Sequence, residues 1–123
     1  MAPPRGRSIL ITGGAGFIGS HLADALVAEN DVTVFDDLST GDRDRVPEAA
    51  KFVQGDVRVG PLIERVAEGV DLIFHEAAVV SVERSVEDPV GCHDVTVDGT
   101  LNVLEAARRS GAWATEFRPR ASD

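Results

Sequence analysis

At 123 residues, 43% of them hydrophobic, the chain holds one domain at most and enough apolar side chains to bury a core. Its net charge of −9, from 21 acidic against 12 basic residues, argues against nucleic acid, whose phosphates need Lys and Arg, and against anionic membrane surfaces. A single cysteine, Cys92, excludes an internal disulfide and a cysteine-based zinc site, and no run approaches the roughly 20 apolar residues of a membrane helix.

Residues 1–7 read as a loose leader without the apolar stretch of a signal peptide, which makes the cytoplasm the default location. Residues 8–12, SILIT, form a continuous apolar run of the kind parallel strands show. A helix is expected from 17 to about 29, with Ile18, Leu22, Ala25 and Leu26 on one face. Residues 31–36, DVTVFD, read as a second strand, and 37–50 as a polar connection with one helical turn. A third strand is expected at 51–54 and a short helix from Pro61 to about 68, with proline in the first turn. Residues 70–75, VDLIFH, read as a fourth strand. A loop through Pro89 follows, then a helix from about 91 to 109 with Val97, Leu101, Leu104 and Ala107 on its buried face and Gly111 ending it. Strands alternating with helices imply a parallel sheet with right-handed crossovers, in the spatial order 3-2-1-4. Strand 4 then lies at an edge.

The stretch TGGAGFIG, from Thr12 to Gly19, joins the first strand to the first helix. Gly14, Gly16 and Gly19 satisfy G-x-G-x-x-G, and Gly13, Gly16 and Gly19 satisfy G-x-x-G-x-x-G. In either pattern the first glycine permits the turn, the middle one admits a diphosphate close to the backbone, and the last lets helix and strand pack. The N–H groups at the helix start, near Phe17 and Ile18, then face the anion, helped by the helix dipole. Asp36 ends the next strand, 17 positions after Gly19, where a carboxylate can accept hydrogen bonds from both adenosine ribose hydroxyls. With Asp37 beside it, a 2′-phosphate is repelled, so NAD is favoured over NADP. The plainer reading is that both aspartates cap a strand and start a turn.

TGGAGFIGSHL, VFDDLSTG, QGDVRV, HEAAVVSVERSVEDP and VTVDGTLNVLEAARRSG, in that order, resemble the extended short-chain dehydrogenase/reductase family. Within it they are similar to the NAD-dependent epimerases and dehydratases of nucleotide sugars, of the UDP-glucose 4-epimerase type. The likeness runs from about Ser8 to Gly111. It implies an α/β fold, the N-terminal half of a Rossmann-type doubly wound parallel sheet, truncated, over 8–111, with 112–123 a tail outside the family pattern. It implies that Gly13, Gly16 and Gly19 form the diphosphate loop with Phe17 and Ile18, and that Asp36 and Asp37 hold the ribose. Asp56 and Val57 would frame the adenine. Ala77, Ala78 and Val79 would lie along the cofactor toward the nicotinamide ribose, with Ser81 toward the substrate. Thr96 stands where the family commonly has Asn, which changes reach and donor count. A homodimer through the long helix is also implied.

The family continues with a Ser/Thr and a Tyr-x-x-x-Lys pair that moves the sugar hydroxyl proton. This chain has no tyrosine, and its only lysine is Lys51, before strand 3. After Gly111 the text AWATEFRPRASD offers no run of β-branched residues for a fifth strand. No catalytic residue is therefore assigned. The functional expectation is a nucleotide-sugar epimerase or dehydratase by descent, truncated and inactive alone. A non-catalytic NAD-binding module, completed by a partner, and a non-functional remnant are the alternatives. His75 reads as a structural histidine beside the cofactor loop rather than a catalytic one, and His21 as packing. Cys92, His93 and Asp94 point in different directions on a helix and give no metal site. The scattered acids and lysine shortage fit either an ordinary acidic cytosolic protein or one adapted to high salt.

Overall fold

The structure, a computed structural model, describes residues 3–77 and 97–115. Its elements in chain order are β1 (Ser8–Thr12), α1 (Phe17–Leu26), β2 (Asp31–Asp36), a 3-10 turn (Arg43–Arg45), β3 (Lys51–Gln54), α2 (Gly60–Val66), β4 (Leu72–His75), α3 (Gly99–Ser110) and β5 (Trp113–Thr115). The five strands form one sheet in the order β3-β2-β1-β4-β5, and every pairing is parallel. The expected 3-2-1-4 order is present and is extended by one strand.

Alternation along β1 explains its unbroken apolar run. Leu10 packs with Phe35 and Ile73 under α2 and α3, whereas Ile9 and Ile11 pack with Val32 and Val34 under α1. Both faces of the sheet are covered by helices, so neither set of side chains has a wet side. All of these residues are buried.

Four expectations are corrected. β4 is not an edge: Leu72, Ile73 and Phe74 pair with Trp113, Ala114 and Thr115. The fifth strand is only three residues long and presents Trp113 at 81% exposure, so it carries no buried apolar run to read. α1 ends at Leu26 and buries Gly19, Ser20, Ala23 and Leu26, leaving Ile18 and Leu22 on its flank and Ala25 in solvent. α3 buries Gly99, Val103, Ala106 and Ala107, while Val97, Leu101 and Leu104 are exposed. The reason is close approach: a methyl carbon on Gly99 would lie 2.5 Å from a Val57 side-chain carbon, so α3 can seat here only on its small-residue face. Finally, β4 starts at Leu72, because the Val70 N–H turns back to the Ala67 carbonyl instead of joining the ladder.

Gly111 ends α3 as expected, in a left-handed conformation (φ 76°) with its N–H on the Ala107 carbonyl. The part of the expected long helix before residue 97 lies outside the described residues. No helix among the described residues is long and apolar enough to cross a membrane.

Candidate functional site

The C-terminal ends of β1, β2, β3 and β4 open onto one lip of the sheet, the place where open α/β sheets take ligands. The glycine turn leaves β1 there. Gly13 adopts a φ of 70°, and a side chain on it would strike the Glu76–Ala77 peptide at 2.6 Å. Gly14 lies against the Val34 side chain, and Gly19 against the Gly13 carbonyl and the Gly14 Cα. These three glycines are required by the protein's own packing.

Gly16 differs. Its backbone is extended (φ −79°, ψ 179°), open to any residue, and among the described residues a methyl carbon there would meet only the Gly13 carbonyl, at 3.4 Å. Nothing in the described protein needs glycine at this position. The empty space lies at the start of α1, where no side chain caps the helix and no acid occupies the first turn. Its first N–H groups, including those of Phe17 and Ile18, have no carbonyl one turn earlier to bind. Positive helix end, bare backbone and free approach together form a cradle for an anion.

Asp36 is buried and braces this turn. One of its oxygens accepts the Ala15 N–H at 2.9 Å and the other the Leu38 N–H at 2.8 Å. Each oxygen keeps a further lone pair for a hydroxyl. Leu38 is thereby held at a φ of 62°, unusual for a side chain of its size. Asp37 is exposed, with one oxygen accepting the Ser39 N–H. The connection after β2 folds back onto the glycine turn, where the Asp42 N–H reaches the Ala15 carbonyl.

Asp56 follows β3 and carries a two-pronged ion pair with Arg58, at 2.6 Å for the closest contact. The hydrogen bonds from Arg58 hold its carboxyl below the usual carboxylate range, against a smaller opposing effect of burial. Val57 is buried, and its carbonyl accepts the Asn102 amide of α3. Ala77 follows β4 and touches Gly13. Gly13, Gly16, Asp37, Asp56, Val57 and Ala77 thus sit on loops at this lip, with Phe17, Ile18 and Gly19 in the first turn of α1 and Asp36 at the end of β2. Ala78, Val79, Ser81 and Thr96 lie outside the described residues, as do Cys92, His93 and Asp94. Among the described residues no group of three His, Cys, Asp or Glu side chains is placed to hold a metal ion.

Sequence reasoning missed Thr12, Thr100, Leu38 and Arg58. Thr12 and His75 are buried and joined at 2.6 Å, and the other His75 nitrogen lies 3.0 Å from the Thr100 hydroxyl. A polar residue closing the apolar run of β1 was the available signal. His21 packs on the Phe17 ring, with centroids 4.6 Å apart, and one ring nitrogen bonds the Phe17 carbonyl.

Residues 9–117 match the model of the NAD dependent epimerase/dehydratase family. The chain belongs to that family. A UDP-glucose 4-epimerase of Streptomyces lividans is 42% identical to this epimerase-family chain over 112 residues, which are 88% of this chain and 34% of the relative. The structure of Thermus thermophilus UDP-glucose 4-epimerase in complex with NAD is 44% identical and superposes with a TM-score of 0.79, covering 85% of this chain and 35% of that one. UDP-glucose 4-epimerase from Brucella ovis in complex with NAD is 34% identical, with a TM-score of 0.82 over 89% of this chain and 35% of that one. The chain spans about a third of the length of these relatives.

Proposed function

We propose that this chain holds the adenosine and diphosphate portion of NAD, as the cofactor half of a nucleotide-sugar epimerase or dehydratase of the UDP-glucose 4-epimerase type. The observation that carries the reading is Gly16, a glycine the described protein does not itself require, set at an uncapped helix start. The diphosphate binds the N–H groups of Phe17 and Ile18, with Gly13 and Gly19 holding the turn. Asp36 takes the ribose hydroxyls on its remaining lone pairs, and Asp37 adds a charge that disfavours a 2′-phosphate. Asp56 and Val57 frame the adenine. Ala77, with Ala78, Val79 and Thr96 beyond the described residues, continues along the cofactor.

NAD bound in this family accepts and returns a hydride at a sugar carbon. Removing the sugar hydroxyl proton needs a base, and this chain has no tyrosine. Lys51 begins β3, at the end of the strand away from the lip, and pairs with Asp31 at 3.7 Å. That composition favours a second reading, in which the 123 residues bind NAD without turning a sugar over. The two readings share one cofactor site and divide on activity.

The test is calorimetric titration of the purified chain with NAD and NADP, beside UDP-glucose turnover. Saturable NAD binding, weaker NADP binding, loss of both in Gly16→Val and no epimerisation are expected. Binding unaffected by Gly16→Val would defeat the cofactor reading, and epimerisation by this chain would defeat the assignment of no catalytic residue. Exposed Val97, Leu101 and Leu104, spaced as one helix face, support pairing of two copies through α3. With one cysteine and no disulfide to form, a cytoplasmic setting fits.

A further inference from the structure

The Thr12–His75–Thr100 chain runs from the end of β1 through the end of β4 to the first turn of α3. Thr12 Oγ1 lies within reach of two backbone donors, the Glu76 N–H at 3.2 Å and the Ala77 N–H at 3.3 Å. A hydroxyl has two acceptor lone pairs and one hydrogen. The Glu76 N–H is shared with the Thr12 carbonyl, at 2.9 Å, and the hydroxyl lies 2.6 Å from His75 Nδ1. The arrangement in which the hydroxyl accepts from both peptide N–H groups has it donating to Nδ1, with Nε2–H facing Thr100 Oγ1 at 3.0 Å. The peptide that Thr12 grips is the one Gly13 presses against, since a side chain on Gly13 would strike Glu76 and Ala77. A helix on one face of the sheet is thus tied by polar contacts to the floor of the glycine turn.

We infer that His75 is a positioning residue for the dinucleotide: as the neutral Nε2–H tautomer it orients the Thr12 hydroxyl, which fixes the Glu76–Ala77 peptide beneath the diphosphate loop, and it anchors that arrangement to Thr100. The inference rests on the cofactor reading above for its consequence, but not for its geometry. His75 does not touch the reacting atoms. It acts through Thr12, whose hydroxyl sets where the β4 loop meets the glycine turn, and Thr100 acts through it. Side-chain hydrogen bonds of this kind matter most where they leave no lone pair or N–H unmatched in a buried place.

Two measurements test it on the whole 123-residue chain. Nitrogen-15 imidazole spectra of the unliganded protein at pH 7 should show the His75 proton on Nε2, and a proton on Nδ1 would overturn the orientation of the chain. NAD titration should show Thr12→Val and His75→Gln weakened by about tenfold, the loss of one buried hydrogen bond. Thr12→Ser, which keeps the hydroxyl, should bind within about twofold of the parent, whereas His75→Asn, whose amide oxygen replaces Nδ1 but which lacks Nε2, should lose as much as Thr100→Val. Equal affinity in Thr12→Val, or equal weakening in Thr12→Ser, would overturn the proposal. Thr100→Val, at the outer end, should weaken NAD binding with a folded circular dichroism spectrum. It serves as the second variant if Thr12→Val does not fold, and undiminished binding in it would reject the anchor. If the parent chain binds no NAD, the cofactor reading falls, while the tautomer spectrum still decides the hydrogen-bond chain.

Discussion

Replacing Gly19 with alanine would drive a methyl carbon into the Gly13 carbonyl and the Gly14 Cα. Backbone cannot swing aside as a side-chain end can, so a cost of about 1–3 kcal/mol is expected in chemical denaturation. Gly16→Ala meets only ordinary contact among the described residues and should cost less than about 1 kcal/mol, the difference between Gly and Ala at a helix N-cap. Its NAD affinity should nonetheless fall about tenfold or more, because the methyl occupies the approach of the diphosphate. The pair separates a glycine kept for the fold from one kept for a ligand. Equal destabilisation by both substitutions would remove that distinction.

α2 and α3 lie side by side, and beyond their apolar contact they share a charged rim. Glu105 accepts hydrogen bonds from Arg108 and Arg109, and Arg109 also reaches Glu64 on α2 at 3.5 Å. The Arg108 and Arg109 hydrogen bonds hold the Glu105 carboxyl down at about 2, from an ordinary 4.5. A depressed carboxyl contributes stability that is complete above its unfolded value and is lost as pH falls through the folded one. Melting temperatures of the parent and Glu105→Gln should therefore differ at pH 7 and converge between pH 4.5 and about 2, with the gap reduced by salt. A gap constant with pH would assign the effect to packing. The same helix marks where the sequence was legible and where it was not. β1, β2 and β3 are legible to the residue, because period-free apolar runs bounded by polar loops leave few alternatives. The glycine turn and Asp36 are readable because their spacing relative to strand and helix is itself the signal. The buried face of α3 is not, because counting large apolar residues favours Leu101 and Leu104, whereas the sheet admits only Gly99, Val103, Ala106 and Ala107. That choice depends on how near Val57 comes, which no local pattern states. β5 escapes notice for a related reason: three residues with an exposed Trp113 are fixed by the free side of β4 and not by their own composition. The Thr12–His75–Thr100 contacts join residues 63 and 25 positions apart, so only the folded sheet reveals them.

In the whole molecule, the exposed faces have different chemistry. Leu101 and Leu104, at 58% and 52% exposure, lie beside Val97 on one side of α3, on a chain whose net charge is −9. If two copies pair there, light scattering should give a two-chain mass for the parent and a single-chain mass for Leu101→Asp or Leu104→Asp. A parent that is monomeric at micromolar concentration would remove the homodimer. The acidic surface makes a second claim testable on the same sample. A chain adapted to high salt should melt at a higher temperature in molar KCl than in dilute buffer, whereas an ordinary acidic protein should not need the salt. The lip itself has one further consequence. Its residues come from the ends of β1, β2, β3 and β4, between Gly13 and Ala77, so no short segment forms it alone. Anything seated there rivets four strands at once and must be released before any of them separates. Occupancy at roughly a hundredfold excess over Kd would then raise resistance to unfolding by about 2.7 kcal/mol. The survival time of the chain in the presence of a protease becomes a gauge of how much dinucleotide surrounds it.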